Sequence, residues 1–293
     1  MLHVAATLSE VKPAAFEYFA PRTVDEALSF LAGVDGAKVL AGGQSLVPAM
    51  NFRLARPAAL IDINQIGGLD QVTITDGQVR IGASTRHRSL ENPDVPGPLA
   101  VLLREMARHV GHMPIRVRGT FGGSLAHADP AAEWCLLART LDATIVAGST
   151  AGEREIPADE FFATVFTTTL RPDELLTEVR VPQLTDRHLV GFSEFSRRAG
   201  DFALAMVAVA VEVADGIVQT ARIGAGGVSD VPVRLTAAES ALTGNPWEPA
   251  TWGAAAEAGM GEVEPFEDIH ASSEYRRDLV AALLRRACSR AAM

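Results

Sequence analysis

The sequence predicts an α+β protein in two parts: residues 1–185, divided again near residue 63, and a smaller part, 186–293, of three antiparallel strands and helices. Three observations carry this. Helical and strand-like apolar spacings alternate through the first part. Apolar alternation flanks Asp76-Gly77, which is a hairpin pattern. Beyond the polar, turn-prone "QLTDRH" (183–188) the pattern changes to successive strand-like runs.

Taken in order, Thr23-Val24-Asp25-Glu26 matches a capping box, after which Val24, Ala27, Leu28 and Leu31 recur at helical spacing until Gly33. "AKVLA" (37–41) and "AALIDI" (58–63) read as buried strands flanking a glycine turn and a short helix. "QVTITDGQVRIGAST" supplies the hairpin, and Leu99, Leu102, Leu103 and Met106 place the next helix. A second glycine loop, "RGTFGGSLAHADP" (118–130), leads into a helix with Pro130 near its start and Glu133 in its first turn. Strands "ATIVA" (143–147) and "ELLTEVRVP" (174–182) close the first part. The second opens with "GFSEFSRR", "FALAMVAVAVEV" and "IVQTARIGAG", the last two joined at Asp215-Gly216. A second capping box, Thr236 to Glu239, starts a helix, and Leu279, Leu283 and Leu284 share one face of the final one.

Composition narrows the function classes. The 293 residues carry 26 Lys+Arg against 36 Asp+Glu, a formal charge of −10, which argues against a nucleic-acid binder. No apolar run is long enough for a membrane span, and "MLHVAATLSEVKPAAF" lacks the pattern of a secretory signal, so a cytoplasmic location is expected. The two cysteines, Cys135 and Cys288, read as free buried thiols and cannot supply a four-thiolate cluster.

Chemistry concentrates in the two glycine segments. "VLAGGQSLVPAM" (39–50) breaks a buried strand at Gly42-Gly43, passes Gln44 and Ser45, and resumes as an apolar segment. Glycines let backbone N–H groups approach an anion without a Cβ in the way, and Gln44 and Ser45 add neutral donors. An ordinary turn is the alternative for either segment alone; a diphosphate could use both. "GAGGVS" (224–229) is no dinucleotide fingerprint, because Ser229 stands where the last glycine belongs. There is no P-loop, and Val47 rules out a nucleophile elbow. His109 and His112 could pair on a metal, but lack a third ligand and read as surface or capping residues. Asp129 suits either a helix cap or a partner for a sugar hydroxyl, Arg197 and Arg198 read as solvated charges, and Trp134 as core.

Together, "KVLAGGQSLVPAMNFRLARP", "IRVRGTFGGSLAHADPAAEW" and "FSEFSRRAGDFA" resemble the FAD-binding medium subunit of molybdenum hydroxylases, from about Phe16 to the C-terminal helix. The resemblance implies a two-subdomain FAD-binding fold of the vanillyl-alcohol-oxidase type followed by the smaller C-terminal domain. By position it implies that Ala41, Gly42, Gly43, Gln44, Ser45 and Leu46 wrap the FAD pyrophosphate, with Lys38 just upstream. It places Thr120, Gly122, Gly123 and Ser124 against the cofactor, Asp129 on a ribose or ribityl hydroxyl, and Leu176 and the strand carrying Phe192 near the rings.

Three positions depart from the pattern: Ser124 replaces a frequent Asn, Phe192 a Tyr and Glu194 a Lys. No His stands out for covalent flavin attachment, so dissociable FAD is expected, and no side chain of this chain is assigned catalysis. The implied activity is electron transfer. Electrons would come from 2Fe–2S clusters on a small partner subunit, fed by a large molybdopterin subunit, and pass through FAD to an external acceptor in a dimer of heterotrimers. A free-standing flavin oxidase or reductase and a non-catalytic nucleotide-binding module are the competing readings.

Overall fold

A computed structural model of the chain describes residues 12–291. The stretch expected to lack a secretory signal falls largely in residues 1–11, outside the described residues.

The first unit comprises β1 (Glu17–Phe19), α1 (Val24–Gly33), β2 (Ala37–Leu40), α2 (Leu46–Asn51) and β3 (Ala59–Asp62). β3 is central and pairs in parallel with β1 and β2, so both partners need crossovers and α1 supplies one face of the core. The Thr23 hydroxyl accepts from Glu26 N–H at 3.2 Å, while Glu26 reaches back to Arg22 N–H, at 2.8 Å. Ala27, Leu28 and Leu31 then pack with Ile61, Ile63 and Leu175.

The second unit runs through β4 (Val72–Thr75), β5 (Gln78–Gly82), α3 (Gly97–His109), α4 (Met113–Arg118), α5 (Phe121–His127) and α6 (Glu133–Thr140). It continues through β6 (Thr144–Ser149), β7 (Gly152–Pro157), α7 (Ala158–Phe161), β8 (Phe162–Thr164), β9 (Thr167–Thr168) and β10 (Leu175–Pro182). Its sheet has the order β4-β5-β10-β6-β7 and its pairs are antiparallel. The β4–β5 hairpin closes with Asp76 at φ 53° and Gly77 at φ 72°, the left-handed pair that matches strand twist. Two sequence expectations need correction. The second glycine loop is mostly the helix α5. The next helix begins at Glu133, beyond Pro130, because Asp129 Oδ1 accepts from Ala131 N–H at 2.9 Å and closes a turn first. Asp129 is therefore not that helix's cap.

The third unit holds β11 (His188–Phe195), β12 (Ala205–Ala214), β13 (Ile217–Gly226), β14 (Val233–Arg234), α8 (Thr236–Leu242), α9 (Pro249–Met260) and α10 (Ser273–Ala291). Two-residue periodicity sorts β12: Met206, Ala208 and Ala210 face the second unit's core, while Ala205, Val207, Val209 and Val211 pack with Leu279, Leu283 and Leu284 of α10. Gly224 lets α6 lie close on β13, since a Cβ there would fall 2.1 Å from Thr140 Oγ1. The expected capping box at α8 is not formed. Leu235 is the N-cap, Glu262 accepts from the Ala237 and Ala238 amides at 2.8 and 3.4 Å, and Glu239 turns instead to Arg234. Among the described residues no helix is long and apolar enough to cross a membrane.

Candidate functional site

The first glycine segment leaves the C-terminal end of β2 and enters α2. Gly43 takes φ +72°, where a side chain would be strained. Val47 N–H donates to Gly43 O at 3.0 Å and Ala49 N–H to Ser45 O at 3.1 Å, so hydrogen bonding of the helix begins only there. The N–H groups of residues 42–46 have no backbone partner among the described residues. Gln44 folds back, its Nε2 donating to Gly42 O at 3.1 Å, and Ser45 makes no capping bond. Gln44 and Ser45 are exposed, as is Lys38 on β2. The result is a run of backbone donors without backbone partners and a hydroxyl beside them, a fit for the oxygens of an anion.

The second segment is built differently. Phe121 N–H donates to Thr85 O at 2.8 Å, Gly122 N–H to Ala83 O at 3.0 Å and Gly123 N–H to the Thr120 hydroxyl at 3.1 Å. Its amides are therefore already satisfied, and the expectation that both glycine pairs leave donors unpaired holds only for the first. Gly122 is there for packing: a Cβ would lie 2.6 Å from Ala83 Cα. This segment forms a smooth wall.

The structure brings the two segments together. A Cβ on Gly42 would fall 2.5 Å from both Arg118 O and Gly119 Cα, and one on Gly123 would meet Ala41 Cβ at 3.6 Å. Two residues not singled out from the sequence bind them. Asn64 Nδ2 donates to Ala41 O at 2.8 Å, and its Oδ1 accepts from Arg86 Nη2 at 2.6 Å. Arg86 Nη1 donates to Arg118 O. Burial, then the neighbouring Arg118 charge, lowers the Arg86 pKa from its usual value. Asp62 orients Asn64 from behind, its Oδ1 accepting Asn64 N–H at 2.9 Å.

Beyond Ser124 lies a cluster of titratable groups. Burial pushes Asp129 above the usual carboxylate range, and burial with the Glu194 charge pushes Glu133 well above it. The Cys135 thiol, also pushed up by burial, contacts Ser124 O at 3.6 Å. Burial lowers His127, which stacks on Phe166 with centroids 4.9 Å apart. His87 is held down to about 4 by burial and then by Arg86 and Arg116; its Nδ1 accepts from Trp134 Nε1 at 2.8 Å, which fixes a neutral ring. His109 and His112 do not pair. His109 Nδ1 lies 3.6 Å from Glu194 Oε1 and its ring meets Phe192 edge-on, whereas His112 packs against Gly200. Leu176 and Phe192 are core residues, 4% and 2% exposed. Among the described residues no set of three or more His, Cys, Asp or Glu could hold a metal.

Comparison with known proteins is consistent along the chain. Residues 14–184 match the family model of the FAD binding domain in molybdopterin dehydrogenase, and residues 191–291 that of the CO dehydrogenase flavoprotein C-terminal domain. The chain is 40% identical over 283 residues to the 6-hydroxypseudooxynicotine dehydrogenase complex subunit alpha of Paenarthrobacter nicotinovorans, covering 96% of each. It is 33% identical to the carbon monoxide dehydrogenase medium chain of Hydrogenophaga pseudoflava, covering 95% of this chain and 98% of the other. A solved structure of carbon monoxide dehydrogenase from that organism superposes with a TM-score of 0.91 at 35% identity, over 95% of this chain and 98% of that one.

Proposed function

This chain belongs to the FAD-binding subunits of the molybdenum hydroxylase family, an oxidoreductase family, and from that premise we propose how its residues hold the cofactor and what it exchanges electrons with. The observation that carries the proposal is the run of unpaired amides at 42–46, pinned against a second segment whose own amides are spent.

The N–H groups of Gly42, Gly43, Gln44, Ser45 and Leu46, with the Ser45 hydroxyl, take the diphosphate oxygens, and Lys38 adds positive charge upstream. Thr120, Gly122, Gly123 and Ser124 form the facing wall, with Gly122 seated close on Ala83 and Gly123 N–H capped by the Thr120 hydroxyl. Asp129, with Oδ1 fixed by Ala131 N–H, offers Oδ2 to a sugar or ribityl hydroxyl. Leu176 and Phe192 support the cleft from the core rather than lining it. Bound there, FAD supplies redox chemistry that no side chain of this chain has, while the protein sets its position and electrostatic surroundings.

The electrons come from 2Fe–2S clusters on a small partner subunit, supplied by a large molybdopterin subunit, and leave to an external acceptor. The working assembly is a dimer of heterotrimers in the cytoplasm. The test is co-expression with the partner chains followed by flavin and metal analysis and anaerobic reduction. One FAD per chain, reduced through the partner's clusters, is the expected result. A complex with reducible clusters but no flavin on this chain would contradict the reading.

A further inference from the structure

Neither residue expected beside the flavin rings lines the cleft: Leu176 and Phe192 lie in the core. The wall formed by α5 leads to another seat. A Cβ on Gly123 would meet Ala41 Cβ at 3.6 Å, so the side of α5 that carries residue 123 faces the first glycine segment. Residues four apart on a helix share a side, which puts His127 on that side too, about 6 Å further along the axis. His127 is half-buried and packs its ring against Phe166, with centroids 4.9 Å apart and planes at 33°. Phe166 stands in the turn between β8 and β9, and its N–H donates to Ala128 O at 3.0 Å. Its φ is +55°, and Ala128, the C-cap of α5, is left-handed as well, at +52°. A bulky aromatic adopts that conformation only with strain. Burial does not compensate, since Phe166 is 55% exposed. A strained, exposed aromatic at the end of the cleft wall is placed for contact with something outside the chain.

We propose that His127 and Phe166 form an aromatic platform, at the mouth of the cleft, on which the isoalloxazine ring of FAD stacks. The inference rests on the FAD reading given above. Gly123 and Ser124 lie one helical turn before His127, so a cofactor whose diphosphate sits at 42–46 reaches the platform by running along α5. Asp129, offered to a ribityl hydroxyl, stands next to His127, which feels its charge. Burial nevertheless lowers the His127 pKa from its ordinary value, so the imidazole is mainly neutral at neutral pH. Two uncharged rings suit the face of a flat, uncharged heteroaromatic. Exposure selects the flavin ring over the adenine. A ring that exchanges electrons with groups outside this chain belongs at an open edge, whereas an adenine only anchors. Phe166, the exposed member of the pair, carries most of the stack.

Calorimetric titrations with FAD and with ADP test this. Phe166→Ala should weaken FAD binding about tenfold and leave ADP binding unchanged, and Phe166→Trp should bind FAD as wild type does. The visible absorption bands of bound FAD, displaced from those of free FAD in wild type, should move back toward them in Phe166→Ala. Equal FAD affinity in wild type and Phe166→Ala would overturn the platform. ADP weakened as much as FAD would overturn it too, because the pair would then hold the adenine. If Phe166→Ala does not fold, Phe166→Leu, which keeps the apolar bulk without the ring, decides by the same titrations. A wild-type chain that binds no FAD at all would overturn the functional reading and the platform with it.

Discussion

Arg86 Nη2 donates to Asn64 Oδ1 at 2.6 Å, and this contact ties the two glycine segments to each other. Asn64 holds the Ala41 carbonyl and Arg86 the Arg118 carbonyl. Because a trans peptide points its C=O and N–H in opposite directions, pinning Ala41 O on Asn64 turns Gly42 N–H away from that contact. Gln44 does the same for the next peptide by holding Gly42 O at 3.1 Å. The clamp thus aims the donors as well as fixing the seam.

Asn64→Ala removes the centre of that clamp. The Ala41 carbonyl and Arg86 lose a partner, at about 1–3 kcal/mol for an orphaned buried group. FAD affinity is expected to fall about tenfold or more, measured by fluorescence quenching. Unchanged affinity in a folded variant would remove the clamp from the account.

Gly42→Ala and Gly43→Ala separate packing from backbone strain. At position 42 the new Cβ meets backbone at 2.5 Å and must force the segments apart, so loss of FAD binding and about 1–3 kcal/mol of stability are expected. At position 43 the Cβ meets only the Leu40 and Val47 side chains, at 3.1 and 3.2 Å, and the main cost is φ +72°, about 1–2 kcal/mol. Binding should suffer more in the first variant, by calorimetric titration with FAD.

His87 makes stability pH-dependent with a definite sign. Its pKa is lowered from 6.5 to about 4, so the unfolded chain binds the proton more readily between those values. Its contribution is complete above 6.5 and is lost as pH falls through that window to about 4, in total roughly 3 kcal/mol. Urea unfolding of wild type and His87→Gln across that range should show the steeper loss in wild type, the difference between them being the His87 contribution.

Arg276 is a buried cation whose Nη1 donates to Leu204 O at 2.6 Å and Gly227 O at 3.0 Å, and whose Nη2 pairs with Asp268 at 2.8 Å. Arg276→Met orphans two carbonyls, and a loss of about 2–4 kcal/mol in unfolding free energy is expected. A loss below about 1 kcal/mol would show that water replaces the guanidinium.

Much of the architecture was legible because its signals are local. The Asp76-Gly77 hairpin, the Thr23 cap and the alternation of β12 each follow from residues within one element. The short strand β1 carries too few residues for a periodic signal, and the two-residue β14 likewise. The α8 capping box is not formed because the distant Glu262 takes the helix-start amides and the neighbouring Arg234 holds Glu239. The same holds at the site. Glycines at 42, 43, 122 and 123 are visible in the sequence, but that the Gly122 amide is already spent depends on Ala83, far from it in the chain. Asn64 and Arg86 acquire meaning only from tertiary contact, and nothing in their neighbours announces it.

The most direct test of the account is amide hydrogen exchange with and without FAD. Residues 42–46 should exchange quickly in the free chain and at least about tenfold more slowly with FAD, whereas the amides of Phe121, Gly122 and Gly123, bonded in both states, should change little. Stoichiometric FAD binding that leaves exchange at 42–46 as fast as in the free chain would contradict it.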